Sequence, residues 1–280
     1  LGSGGAGTLN ADASSGAINW GNAAGSTGTV ASELGPVPTI NPGISTSGDF
    51  SPAVVLQTIG GGGGYTTGGT SVSFSAAGHA GTSSRSGDIT VNNSGVITTS
   101  GDNSFGMLLQ TIGGGGGVGG SSSGVVSLNN SNANSSSGDI NFTNSGIIST
   151  SGTGSHAVVA QTIAGGGGFV FGGTRKENSA LQLGSNTGSS GDINVTNTGT
   201  ISASGDAAVA LLFQNAAGGA YLYQNSDGFV SNVTQGATDG LAPAGEVVVI
   251  NTGTIQATGT GGVGITKSTH NPRAIAARVV

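Results

Sequence analysis

The chain has 280 residues, 58 of them glycine, or about 21% against an ordinary share of about 7%. Charged residues make up only 6%, with six lysines and arginines and a net charge of −6, which excludes a surface of charged amphipathic helices and a cationic track for nucleic acid. At 34% hydrophobic residues the chain is too apolar for a disordered linker, and with no cysteine it has no disulfide or thiolate metal site. No apolar run reaches the roughly 20 residues that span a bilayer as a helix.

In chain order, residues 1–64 form a degenerate unit. Gly16-Ala17-Ile18-Asn19 marks its start, an insertion follows, and NPGISTSGDFSPAVVLQTIGGGGG closes it at Gly64. The full unit reads SGDITVNNSGVITTSGDNSFGMLLQTIGGGGG from Ser86 to Gly117 and SGDINFTNSGIISTSGTGSHAVVAQTIAGGGG from Ser137 to Gly168. It returns as SGDINVTNTGTISASGDAAVALLFQNAAGG from Ser190 to Gly219, and AGEVVVINTGTIQATG opens a worn last copy. Gly87, Gly138, Gly191 and Gly245 lie 51, 53 and 54 residues apart, and Gln57, Gln110, Gln161 and Gln214 keep the same rhythm, so the period is about 52. A single domain over 1–280 is expected, with units at 1–64, about 86–136, 137–189, 190–243 and 244–280.

Within a unit, apolar residues alternate with small polar ones, as in Ile89-Thr90-Val91 and Ile193-Asn194-Val195, the pattern of short strands with one buried face. Strands are expected around Ile89, around Ile97, from Phe105 to Ile112, around Val118 and from Val125 to Leu128, separated by Asn/Ser/Thr-Gly and Ser-Gly-Asp turns. The fold expected is all-β, a right-handed parallel β-helix (β-solenoid) built from ~52-residue repeats with Gly-rich loops. At about three strands per coil, a unit makes two coils of roughly 26 residues, and ten coils a rod of roughly 50 Å.

Repeat position separates structural from chemical candidates. Asn93, Asn144, Asn197 and Asn251 share one position, where stacked amides form a hydrogen-bonded ladder. Asp88, Asp139 and Asp192, followed by Glu246, form one acidic column, and Asp49, Asp102 and Asp206 another. Capping of turns explains both, and one carboxylate per unit is too sparse for calcium. His79, His156 and His270 sit at unrelated phases and are expected to be solvated turn residues. The acids and bases outside the repeat, including Arg175-Lys176-Glu177, assemble no recognisable catalytic pair, so neither a catalytic residue nor a cofactor or metal is expected. The glycine tracts, represented by Gly60, Gly61, Gly113, Gly114, Gly165 and Gly166, all follow the same stretch of the unit. They read either as flexible loops or as closely packed extended strands. With Tyr65, Phe169, Phe171, Tyr221 and Tyr223 behind them they form a candidate contact surface, unless the rings are tucked over a coil.

The repeated blocks SGDITVNNSGVITTSGDNSFG and SGDINVTNTGTISASGDAA, with the QTIGGGGG tract between them, resemble the passenger regions of bacterial autotransporters and related Gly-rich repeat surface adhesins over roughly residues 40–265. The resemblance implies a right-handed β-helical stalk exported across the outer membrane, with adhesion or biofilm contact as its role. It carries over no functional residue. The lack of a secretion signal and of a C-terminal membrane barrel in the sequence suggests an excised passenger fragment.

The expectation is therefore a non-enzymatic extracellular stalk and adhesive surface that meets cells, matrix or biofilm. A self-assembling filament subunit is the first alternative, and a β-helix polysaccharide-degrading enzyme a lesser one. Expected partners are a glycan or a host or matrix protein, or further copies of the rod through self-association along or across its length. Nucleic acid is not expected, nor a membrane span within this stretch.

Overall fold

The computed structural model describes residues 39–40, 43–60, 62–66, 72–76, 85–120, 126–130, 135–171, 188–235, 243–270 and 277–279. Among them there is no helix, and all regular structure is β. Four large sheets carry the fold. Sheet I contains Thr39–Ile40, Ile89–Asn93, Ile140–Asn144, Ile193–Asn197, Val247–Asn251 and Ala277–Val279. Sheet II contains Ile44–Thr46, Val96–Thr99, Ile147–Thr150, Thr200–Ala203 and Thr254–Ala257. Sheet III contains Val54–Ile59, Met107–Ile112, Val158–Ile163, Val209–Ala216 and Val263–His270. Sheet IV contains Gly62–Thr66, Gly115–Gly120, Gly167–Phe171 and Gly219–Gln224, with Val230–Gln235 added at one edge. Val72–Ala76 and Val126–Asn130 form a separate pair.

Every pairing is parallel except that of Gly219–Gln224 with Val230–Gln235, which is antiparallel. The architecture is all-β with several parallel sheets, compatible with a β-helix. Strand neighbours are equivalent residues of successive units: Ile89 faces Ile140, Ile140 faces Ile193 and Ile193 faces Val247. A full unit therefore supplies one parallel layer of every large sheet, not two coils of about 26 residues. The reason lies in sheet IV and the separate pair, which use strands that a three-sided coil would have assigned to a second turn. Sheets II and III are five strands deep, so four steps of roughly 4.8 Å give about 19 Å, far below the roughly 50 Å expected from ten coils.

Alternation sets the core. In Ile89–Asn93 the odd positions Ile89, Val91 and Asn93 are buried while Thr90 and Asn92 are half-exposed, as a two-residue side-chain period requires. Ile89 and Val91 from sheet I, Ile97 from sheet II and Met107 and Leu109 from sheet III meet in one apolar cluster repeated along the stack. Sheet III is buried on both faces, every residue of Val54–Ile59, Met107–Ile112 and Val158–Ile163 being buried, which explains why these runs read as continuous apolar stretches.

The turns stack as closely as the strands. A Cβ on Gly152 would lie 2.0 Å from the carbonyl oxygen of Gly101, and one on Gly205 1.8 Å from that of Gly152, distances that no side chain survives. Two residues after these glycines runs a left-handed column: Phe50 (φ 53°), Asn103 (54°), Gly154 (63°), Ala207 (55°) and Gly261 (71°). Phe and Ala there cost about 1 kcal/mol or more each, so the stack, and not local preference, dictates the backbone.

Gly152→Ala is expected to lower stability by about 3 kcal/mol or more because backbone lies against the missing Cβ on the neighbouring layer. Gly264→Ala, with nothing within 4 Å of its Cβ, should stay within about 0.5 kcal/mol of the parent. Urea midpoints of the two variants measure the contrast, and equal shifts would contradict the close-stacking account.

Candidate functional site

The asparagine column ends the strands of sheet I. Asn93 Nδ2 donates to Asn144 Oδ1 at 2.8 Å, Asn144 Nδ2 to Asn197 Oδ1 at 2.7 Å, and Asn197 Nδ2 to Asn251 Oδ1 at 2.6 Å. The first three are buried, at 1%, 0% and 0% exposure. Each Nδ2 also reaches the carbonyl oxygen two residues on: Gly95, Gly146, Gly199 and Gly253 in turn. The amide thus closes its own turn with one hydrogen and joins the next layer with the other, which satisfies a buried polar group that would otherwise cost about 1–3 kcal/mol.

The acids act between layers. Asp88 Oδ1 accepts the backbone N–H of Asp139, Asp139 Oδ1 that of Asp192, and Asp192 Oδ1 that of Glu246, at 2.9, 2.8 and 2.6 Å. In the second column Asp49 takes the N–H of Asp102, Asp102 that of Thr153 and Asp206 that of Thr260. These carboxylates receive donors from the following layer's turn. Ser86, Ser137 and Ser190 work the same way, accepting the N–H groups of Gly138, Gly191 and Gly245. Among the described residues no group of three or more His, Cys, Asp or Glu is placed to hold a metal ion.

A glutamine ladder is the feature that sequence reasoning used only as a ruler for the period. Gln57 Nε2 donates to Gln110 Oε1 and Gln110 Nε2 to Gln161 Oε1, both at 2.5 Å, and Gln161 Nε2 donates to Gln214 Oε1 at 2.6 Å. All four glutamines are buried, at 1% exposure or less. Gln57 and Gln161 also donate to the carbonyl oxygens of Gly64 and Gly168, so the ladder ties sheet III to sheet IV. The signal in the sequence was a polar residue at a constant place inside an otherwise apolar run. On the other face of sheet III, Thr58 and Thr111 donate to the carbonyl oxygens of Gly87 and Gly138, and Asn215 Nδ2 to that of Gly191.

Each glycine tract begins as a buried bend after sheet III and continues as a strand of sheet IV, and it is not an outer strip. Gly60, Gly113, Gly114, Gly165 and Gly166 are buried, while Gly61 lies outside the described residues. The strands that follow form sheet IV, which folds back over sheet III. Gly116 and Gly117 take φ of +146° and +131°, and Gly167 and Gly168 +151° and +139°, a mirror-image extended conformation open essentially to glycine alone. A Cβ on Gly167 would also lie 1.6 Å from the carbonyl oxygen of Ala220. Two consecutive inverted residues in each of the two middle layers, and one at Gly64 in the first, account for the unbroken glycine of those tracts; in the fourth layer Ala220 and Tyr221 take the equivalent places without a positive φ.

The aromatic part of the expected contact surface is likewise corrected. Phe169, Phe171 and Tyr221 are 0%, 1% and 4% exposed, and Tyr65 and Tyr223 are half-buried. Tyr65 donates its hydroxyl to the carbonyl oxygen of Phe50, and burial pushes its phenol above the usual range. Phe169, Phe171 and Tyr65 cover Val55, Leu108, Val159 and Leu212 on the outer face of sheet III, apolar residues that demanded a second layer, whereas Tyr221 and Tyr223 are in register with Gly168 and Val170 on the other face of sheet IV. Phe105 stacks on Phe171 at 5.0 Å and meets Phe169 edge-on at 4.9 Å, separations at which ring pairs gain beyond area burial. His156, expected as a solvated turn residue, is instead fully buried in this seam. It follows the turn closely enough that the start of sheet III carries it inside. His79 and the Arg175-Lys176-Glu177 trio lie outside the described residues, and His270 ends the last strand of sheet III.

Replacing Gln161 by Met removes the acceptor of Gln110 Nε2 and the donor to Gly168, at an expected cost of about 2–3 kcal/mol. Converting Gln57, Gln110, Gln161 and Gln214 together should cost less than four times that, because no amide is left to satisfy. Denaturation of both variants decides, and strict additivity would mean that the ladder has no cooperative role.

No protein-family model, curated protein or solved structure matches the chain.

Proposed function

We propose that this chain is a segment of a right-handed parallel β-helix built on ~52-residue repeats, serving as the non-enzymatic stalk and adhesive surface of an exported bacterial protein. Cell-surface, matrix or biofilm contact is its role, and the bacterial exterior, beyond the outer membrane, its place. The observation that carries the reading is the commitment of the recurring Asn, Gln, Asp and Ser side chains to bonds between layers. Side chains spent in this way build a stiff, closely spaced stack and leave recognition to the outward faces. Over their inner layers those faces are uncharged and repetitive. Sheet I presents Thr90 and Asn92, Asn141 and Thr143, and Asn194 and Thr196, and sheet II presents Val96 and Ile147, 46% and 44% exposed. Repetition on a rigid stack suits many weak contacts acting together with a glycan or matrix protein.

A second reading, end-to-end assembly, has its own support. Parallel strands paired in register with their counterparts can extend the same pairing to a further copy wherever an edge is open.

Two measurements test the proposal. Light scattering over a hundredfold concentration range should return the monomer mass of 26.4 kDa throughout, and mass that grows with concentration would favour the filament. On glycan and matrix-protein arrays at least one saturable interaction is expected, lost when Asn141→Lys and Thr196→Lys charge the outward face of sheet I. Cleavage of a polysaccharide, or indifference of binding to those substitutions, would overturn the adhesive reading.

A further inference from the structure

His156 sits where sheets III and IV meet, two residues before Val158. Its ring stacks on Phe105 at 5.4 Å with planes 15° apart and lies 6.3 Å from Phe169. Its Nδ1 accepts the backbone N–H of Val209 at 3.0 Å, from the next layer. A ring that accepts at Nδ1 while neutral carries its proton on Nε2, and Nε2 has no hydrogen-bond partner although it is buried. The elements meeting the ring are the segment around Phe105, the strand Gly167–Phe171 and the segment ending at Val209. Their charged residues are Asp102 and Asp206, both exposed and engaged by the N–H groups of Thr153 and Thr260. No carboxylate among the described contacts waits to receive an imidazolium.

We propose that His156 is an acid-operated latch: when it gains a proton the ring leaves the seam, sheet IV comes away from sheet III with its strands parting locally, and Phe169 and Phe171 become exposed for contact. Protonated Nδ1 would point a hydrogen at the Val209 N–H, donor against donor, and the cation would stand among phenylalanines. Sheet IV is the layer that yields. Its inner strands carry glycine where sheets I to III carry Ile, Val and Leu, and it is held by the aromatic seam, by Ala220 against the Ile59, Ile112 and Ile163 column, and by a few side-chain bonds: the glutamines to Gly64 and Gly168, Tyr65 to Phe50, and Gln224 to Gly154 and Asn103. The core of sheets I to III keeps its asparagine and threonine ties whether or not sheet IV is seated.

Burial lowers the His156 pKa from 6.5 to about 3. A depressed histidine favours the closed form fully above the open-state value and loses that advantage as pH falls toward the closed-state value. The window is therefore pH 6.5 down to about 3, with about a tenfold rise in opening per pH unit. Two units below 6.5 the open fraction should be about 100-fold above its neutral value. The use of the exposed rings for contact rests on the adhesive reading, but the opening does not, and it is measured on the chain alone.

Hydrogen exchange followed by mass spectrometry at pH 7.5 and 4.5, with labelling times scaled for intrinsic exchange, tests the latch on the whole chain. Peptides covering 167–171 and 219–224 should lose about 100-fold in protection at pH 4.5, while those covering 140–150 and 193–203 keep theirs. His156→Phe, which repeats the Phe105 side chain, should abolish the acid response. His156→Gln, whose amide oxygen can still accept the Val209 N–H, should do the same if the bulkier variant fails to fold. An unchanged acid response in a folded variant, or simultaneous loss of protection in sheets I and IV, overturns the proposal. Acid opening without ligand binding would retain the latch and count against the adhesive reading alone.

Discussion

Parallel in-register stacking places each side chain roughly 4.8 Å from its own counterpart in the next layer, and the rest of the molecule follows from that constraint. A column can hold only residues that tolerate a copy of themselves above and below. Apolar residues do so by packing, and Asn and Gln do so because each carries a donor and an acceptor pointing opposite ways. Asp and Ser do so by accepting a backbone N–H from the neighbouring layer. Long cations have no comparable way of stacking on themselves, and the chain has six in 280 residues.

The same constraint governs the backbone. Where turns approach one another at Gly101, Gly152, Gly205 and Gly259, the carbonyl of one glycine occupies the place of the next one's Cβ. Where the chain reverses after sheet III, the first three layers of sheet IV use inverted residues, and glycine supplies them at Gly64, Gly116 and Gly117, and Gly167 and Gly168. Glycine, which weakens an ordinary strand, is here the residue that allows layers to approach. The left-handed column shows the limit of this logic, since Phe50 and Ala207 are held in a conformation their side chains disfavour by neighbours that leave no other path.

Burying sheet III on both faces makes the molecule a core with an attached layer, and the two are not held alike. Sheets I, II and III enclose one continuous cluster, whereas sheet IV rests on a narrower seam of Val, Leu and Phe with a histidine inside it. Thermodynamic strength is therefore concentrated in the core, and the capacity for local change in the layer whose strands are richest in glycine. Among the described residues, the inner layers of sheets I and II turn repeated Thr, Asn and Ser side chains outward.

Sequence alone determined the repeat, its strands, its lack of helix and the columns that form the asparagine and aspartate ladders, because in a stacked fold periodicity along the chain becomes adjacency in space. It left open how many layers one unit makes, since a run of five short strands fits two triangular coils as readily as one coil with an extra sheet. The paired registers decided for one. Glycine tracts and aromatics at a constant offset looked like an exposed strip, and only the packing of Phe169 and Phe171 on Val159 and Leu212 turned them inward. Gln57, Gln110, Gln161 and Gln214 were visible as spacing but not as a ladder, because a residue's outward or inward direction on a strand buried on both faces leaves no alternation to read. Period is a property of the chain; which face of sheet III would be covered was a property of the fold.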